Sequence, residues 1–367
     1  MTRWFHPSTL DFTSSSWNQS RFRTKKTHSS KHHRHVKNYQ LLRELTQGST
    51  CTIYLALDTK TKKRYAIKEI SMTKLQRQLC MDWLQARNPK QQQADGCKRR
   101  RIHSPPLSAT THCTESILLQ SLHHDNIIKW VDCFEENNHL YLVTEWIEGS
   151  VLVDLRKDDD GNQIEDTDDA YHSFDPSTLR SIFTQLVRTL QYLHEEDIIH
   201  GDIKPDNILL TKTNQTKLID FGSAIRLNTS TRAQFTQRRR TPAFTPPECN
   251  GNNKKEHLID HHDPETIKHY ETAADIWSLG LTLYCMVYGK LPYHSEVTSA
   301  NHMELYGLLS NLTSIPHQDY VNQDLCNLMD QMLTVAPLER ITLDQIMQHP
   351  WFLNKSSTDT TTLTTDT

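Results

Sequence analysis

IIHGDIKPDNILL, residues 198–210, places His200, Asp202, Lys204, Asp206 and Asn207 between apolar flanks. That density of polar chemistry marks an active-site loop rather than a connector. Gly201 sits in its middle, directly before Asp202. Ten residues further on, DFG at 220–222 offers a further acid, Asp220, beside an aromatic residue and a glycine.

Upstream of this loop the pattern is that of strands. YQLLREL from Tyr39, TIYLALD and RYAIKEI alternate apolar and polar residues between turn-forming stretches, which predicts an antiparallel meander. TESILLQSL resumes a helical period and LYLVTEWI returns to a strand. After Gly149 the apolar spacing becomes mainly helical, as in LRSIFTQLVRTLQYLHEE. The fold class expected is therefore α+β, with a small β-rich part ahead of a larger α-helical part. We place a basic, Ser- and His-rich disordered arm at 1–36, the first lobe at 37–148, the second at 149–353 and a Thr-rich tail at 354–367. An insert at about 74–112 mixes Gln, Lys, Arg and Pro without a period, and RKDDDGNQIEDTDDA reads as a solvated acidic loop.

The 367 residues can bury a large core, and a formal charge of -3 gives no global attraction to nucleic acid. The eight cysteines are scattered with no C-x-x-C pair, so they read as reduced thiols of the cytoplasm or nucleus. MTRWFHPSTL lacks the apolar core of a secretory signal, and no apolar run reaches membrane-spanning length; the longest, Leu279 to Tyr288, suits a buried helix.

Phosphoryl transfer asks little covalent chemistry of a protein. It needs phosphates held in place, cations to neutralise charge and a carboxylate to orient the attacking hydroxyl. Asp202 can accept a hydrogen bond from that hydroxyl, Lys204 can stabilise the moving group, and Asn207 and Asp220 are oxygen ligands suited to Mg²⁺. Lys68, on a strand, can reach phosphate oxygens, and Glu115, on the following helix, can hold it by an ion pair. Taken singly, Lys68 and Glu115 would each most often be a solvated surface charge.

With these parts in this order, and with PPE at 246–248, DIWSLG at 275–280 and LERIT around Arg340, the chain resembles the eukaryotic protein kinases over about residues 39–353. The resemblance implies the bilobal kinase fold, a small β-rich N-lobe and a larger α-helical C-lobe, with ATP and Mg²⁺ as cofactors. It implies that Leu45, Thr46, Gly48, Ile53, Ala66, Lys68, Thr144, Glu145, Ile147 and Leu209 surround the nucleotide, Thr144 at the back of the adenine pocket and Glu145 and Ile147 at the hinge. It also implies an internal stack of Leu119, His200 and Phe221, and a buried ion pair between Glu248 and Arg340. Lys204 together with Thr241 matches the serine/threonine-specific pattern.

TPAFTPPE, LGLTLYCMVYGKLPY and the insert KRRRIHSPPLS are similar to the calcium/calmodulin-dependent protein kinase kinases and their fungal counterparts, which act upstream of AMP-activated-type kinases. The partners implied are protein substrates, other kinases among them. Calmodulin control is not expected, because HPWFLNKSSTDTTTLTTDT carries no basic amphipathic stretch.

Two departures stand out. LTQGSTCTI keeps only Gly48 of three loop glycines, with Thr46 and Cys51 at the outer positions, which puts nucleotide affinity in question. Gly201 stands where many kinases have an arginine that binds a phosphorylated activation loop. The competing reading is a pseudokinase scaffold with little phosphotransfer; retention of Lys68, Glu115, Asp202, Asn207 and Asp220 speaks against it.

Overall fold

The computed structural model describes residues 34–48, 51–77, 114–153, 155, 174–227, 240–249, 263–293, 315–318 and 321–353. Most of the arm, nearly all of the insert, the acidic loop and the tail lie outside these residues. The described residues cluster into two compact units, one drawn from Met1–Leu107 and Val131–Trp146 and the other from Ser108–Trp130 and Ile147–Thr367.

The first unit is a six-stranded sheet in the order β1-β2-β3-β4-β6-β5, with neighbouring strands antiparallel wherever register is defined. Its strands are β1 (His35–Val36), β2 (Tyr39–Gln47), β3 (Cys51–Asp58), β4 (Arg64–Ser71), β5 (Trp130–Glu136) and β6 (His139–Glu145). The period-2 alternation sends Leu41, Ala56, Ile67, Tyr141 and Val143 to one face, where they form a core with Val36 and Tyr39. β1 falls inside the stretch expected to be a free arm. Val36 is buried there, and Arg34 donates to both Glu69 carboxylate oxygens and to the Tyr141 hydroxyl, so the apolar core and an ion pair hold residues that composition alone placed in the arm. Burial works to raise the Glu69 carboxyl, but hydrogen bonds from Arg34 and Tyr141 outweigh it and hold it below its usual range.

In the second unit α1 (Thr114–Ser121) packs against the 3-10 turn Phe221–Ser223. The chain after α1 is stitched to the same unit by Ile128 N–H to Leu218 O at 3.0 Å and Leu218 N–H to Asn126 O at 2.7 Å. Residues 114–130 thus belong with the helical unit although strands of the first unit flank them in sequence. α2 (Pro176–Glu195) starts where Asp175 caps Ser177 and Thr178 and Pro176 presets the first turn. Its apolar stripe, Leu179, Ile182, Phe183, Leu186, Leu190 and Leu193, is buried, as the 3.6 period requires.

α3 (Pro264–Tyr288) is buried continuously from Ala273 to Tyr288 and ends at Gly289 in the left-handed conformation. α4 (Gln323–Met332), α5 (Leu343–Met347), which opens with a Thr342/Gln345 capping box, and α6 (Pro350–Leu353) complete the helices labelled here. Between α2 and α3 lie the short strands β8 (Ile198–Ile199), β9 (Ile208–Thr211), β10 (Thr216–Leu218) and β11 (Ile225–Arg226), which flank the 198–210 loop. β8 pairs with β11, and β9 lies between β10 and β7 (Gly149–Val151), a strand that precedes α2. Among the described residues no helix is long and apolar enough to cross a membrane.

Candidate active site

The loop within residues 198–210 leaves β8 at Ile199 and enters β9 at Ile208, with Pro205–Asn207 as a 3-10 turn. Its backbone is fixed from beneath by a carboxylate. Asp275 on α3, wholly buried, accepts the N–H groups of His200 at 3.0 Å and Gly201 at 2.9 Å, and His194 Nε2 lies 3.1 Å from the same group. Gly201 has a φ of 76°, the left-handed region in which a side chain on the residue costs about 1–2 kcal/mol. The glycine is therefore the unstrained choice at this turn.

Above this base the polar residues converge on Asp202. Asn207 Nδ2 donates to the Asp202 carbonyl at 2.7 Å and to its Oδ2 at 2.9 Å, Lys204 Nζ is 2.9 Å from the same oxygen, and the Thr241 N–H reaches Oδ1 at 3.0 Å. Lys204 also donates to the Thr241 hydroxyl. The carboxylate is held at both oxygens, in one orientation, by these donors. Thr241 begins the 3-10 turn Pro242–Phe244 and is fixed in turn by the Thr245 hydroxyl, which donates to its carbonyl at 2.9 Å.

Asp220 has a φ of 61°, a left-handed conformation that is uncommon for a non-glycine residue, and its side chain accepts the Gly222 N–H at 3.4 Å. The adjacent Phe221 is buried with its ring 4.9 Å from that of His200, edge to face. Leu119, on the helix that packs against this turn, is buried as well. Burial drives the His200 ring towards its neutral form despite the surrounding carboxylates Asp275, Asp202 and Asp220. The Asp202 N–H donates to Nδ1 of that ring at 3.3 Å, so its proton sits on Nε2.

The donor set suits Mg²⁺. The Asn207 amide nitrogen is engaged by Asp202, which leaves its oxygen as the coordinating end, and Asp220 adds an exposed anionic oxygen. Among the described residues no group of three or more His, Cys, Asp or Glu forms a closed metal cage. Mg²⁺ is usually bound by one or two protein oxygens and completed by substrate phosphates.

Within the first unit, register lines up the residues assigned to the nucleotide. Thr46 pairs with Ile53, Ile53 with Lys68, and Ala66 with Thr144, so Ile53, Ala66, Lys68 and Thr144 share the face opposite the core of Ile67, Tyr141 and Val143. Glu145 pairs with Tyr65, and Leu45 falls at the irregularity between Glu44 and Thr46. Gly48 donates to the Cys51 carbonyl at 2.8 Å and closes the hairpin. Thr46 pairs with Ile53 in the β2–β3 ladder and Cys51 with Ile70 in the β3–β4 ladder, so both are strand residues where glycines would loosen the chain. In the second unit Leu209 pairs with Val151 and Ile147 precedes β7, while Glu115 is half-buried on α1.

Glu248 and Arg340 form a forked pair at 2.7 and 3.1 Å, and the same guanidinium donates to the carbonyls of Ala273 and Thr334 and lies over the Trp277 ring. Sequence reasoning assigned no role to Asp275, although DIWSLG marked its position. It missed Arg34 and the pair of Arg240 with Glu271, 2.8 Å apart, because partners distant in sequence leave no local pattern.

The family model for the protein kinase domain matches residues 39–352. The chain belongs to the protein kinase family. It is 30% identical to a serine/threonine-protein kinase stk11 homolog of Dictyostelium discoideum, over 86% of this chain and 45% of that protein. It is 28% identical to a calcium/calmodulin-dependent protein kinase kinase of Caenorhabditis elegans (86% of this chain, 52% of the relative). A calcium/calmodulin-dependent protein kinase kinase, cmkC, of Emericella nidulans is also 28% identical (86% and 58%). The chain spans about half the length of these curated relatives.

Proposed function

We propose that this chain is an active serine/threonine protein kinase that phosphorylates the activation loops of AMP-activated-type kinases. The observation that carries the activity is the convergence of Asn207, Lys204 and Thr241 on the two oxygens of Asp202. When bound, ATP supplies the γ-phosphoryl group and Mg²⁺ the charge neutralisation. Asp202 orients the substrate hydroxyl and takes its proton as the new oxygen–phosphorus bond forms and the bond to the ADP oxygen breaks. Lys204 offsets the negative charge that develops beside Asp202. Asn207 and Asp220 would hold the cation and Lys68 the phosphates, with Glu115 as the partner the kinase pattern gives that lysine. Leu45, Thr46, Gly48, Ile53, Ala66, Thr144, Glu145, Ile147 and Leu209 would contact the nucleotide. Thr241, bonded to both Asp202 and Lys204, supports a serine or threonine acceptor.

The substrate class rests on the names of the relatives and on TPAFTPPE and LGLTLYCMVYGKLPY. It is tested by incubating the chain with a catalytically dead AMP-activated-type kinase and measuring phosphate on the activation-loop threonine, wild type beside Asp202→Asn. Wild type is expected to exceed the variant by at least about a hundredfold. Equal, near-background rates on this and on general Ser/Thr peptides would instead support a scaffold, and activity on other proteins alone would remove only the substrate class.

A further inference from the structure

Asp202 is held from two directions, and both lead to one face of α3. On the amino-terminal side, Asp275 grips the backbone of His200 and Gly201. On the other side, Thr241 donates its N–H to Asp202 Oδ1, and the residue before it, Arg240, donates from Nη2 to Glu271 Oε2 at 2.8 Å. Glu271 and Asp275 stand one helical turn apart on α3, at the i, i+4 spacing that puts two side chains on the same face. The Arg240 and Glu271 side chains are only 10% and 15% exposed, so this is not a solvent-screened surface pair. Burial works against the charge on Arg240, but the groups around it, Cys249, Glu271, Asp275 and Glu248, outweigh it and raise its guanidinium above the usual range.

The arrangement answers the problem posed by Gly201. With no side chain, Gly201 offers no guanidinium to a phosphorylated activation segment, yet Thr241 sits bonded to Asp202 and Lys204. We propose that Arg240 and Glu271 are positioning residues: a built-in tether that fixes the activation segment at Thr241 against Asp202, in place of a phosphate clamp. The inference rests on the kinase reading of this site, in that the geometry it maintains is the one used for transfer. Neither residue touches the reacting atoms. Their effect runs through Thr241 to the orientation of the Asp202 carboxylate, so it falls on the chemical step rather than on nucleotide binding.

The test uses the full chain and three variants: Arg240→Met, which keeps the apolar stem but removes the charge, Glu271→Gln, and Arg240→Met with Glu271→Leu. Amide hydrogen exchange at Thr241 is read first, because it does not depend on activity. Exchange at least about tenfold faster than in wild type is expected in both single variants, with protection elsewhere on α3 retained. On a degenerate Ser/Thr peptide mixture, kcat is expected to fall by roughly 10- to 100-fold with KM for ATP within about twofold of wild type. The double variant should be no worse than the weaker single one, the non-additivity of two members of one pair. Phosphatase-treated wild type is expected to keep most of its kcat. Unchanged exchange at Thr241 in both single variants overturns the tether, as does loss of most wild-type activity on phosphatase treatment. If Arg240→Met does not fold, Arg240→Lys with Glu271→Gln decides the same question. A wild type inactive on every substrate sinks the kinase reading, while the exchange measurement still judges the tether.

Discussion

The 198–210 loop and the β2–β3 hairpin each carry a glycine where the kinase pattern concentrates its chemistry, Gly48 retained from that pattern and Gly201 departing from it, and the two are held in different ways. Gly201 is buried, has a φ of 76° and gives its N–H to the Asp275 carboxylate. Gly48 is exposed at a hairpin end, and a Cβ built on it would meet the Cys51 sulfur at 3.4 Å, an ordinary contact. One glycine is fixed by backbone geometry and a buried acceptor, and the other only closes a turn. A departure from a motif therefore has to be weighed by what the backbone requires at that position. By that measure Gly201, which removes the expected side chain, fits its site closely, while the hairpin that lost its outer glycines has continued its strands.

The comparison breaks first at Asp275. Asp275→Ala leaves the N–H groups of His200 and Gly201 without their buried acceptor, at a cost of about 2–5 kcal/mol measured by denaturant unfolding. Activity should fall with it, because those two residues lead directly into Asp202. If the variant unfolded within 1 kcal/mol of wild type, the catalytic loop would not depend on α3 in the way its hydrogen bonds imply.

Next comes Gly201→Ala, with an expected destabilisation of about 1–2 kcal/mol from the left-handed conformation alone. Gly201→Asn should cost less, since a short polar side chain tolerates this region better. Equal costs for Ala and Asn would point instead to a lack of space around the buried position. Restoring a basic side chain with Gly201→Arg carries the same backbone penalty. That variant should lose stability without acquiring dependence on phosphate, since Arg240 and Glu271 already hold the segment.

How far these differences could be read from the sequence depends on the range of the interaction. The strands of the first unit and the helices of the second announce themselves through periods of 2 and 3.6, and the candidate site residues Asp202, Lys204 and Asn207 through their spacing within one loop. The clustering of 114–130 with the helical unit could not be read so. It is decided by backbone bonds from Asn126 and Ile128 to Leu218, some 90 residues away. Arg34 was hidden among the charges of a basic arm, and Arg240 among the arginines of RRRTP. A guanidinium states its charge in the sequence, but whether water or a carboxylate answers it is settled only by folding. Gly201 was visible as an anomaly; its φ, which gives the physical reason for it, was not.

The smallest effect is the sharpest control. Gly48→Ala adds the same methyl group as Gly201→Ala, but in a position with room for it, where the N–H bond to the Cys51 carbonyl at 2.8 Å can persist. Stability should stay within about 0.5 kcal/mol of wild type, the usual range for an exposed substitution away from special geometry. KM for ATP is the second readout. If backbone approach to the phosphates relied on Gly48, the added methyl would raise KM several-fold without touching stability. If the stiffened hairpin instead holds the nucleotide through the side chains on the Ile53 and Lys68 face, KM should stay within about twofold. Either result locates the work: a rise in KM leaves Gly48 as the remaining functional glycine of the hairpin, and a flat response means that phosphate binding has passed to the rest of the site.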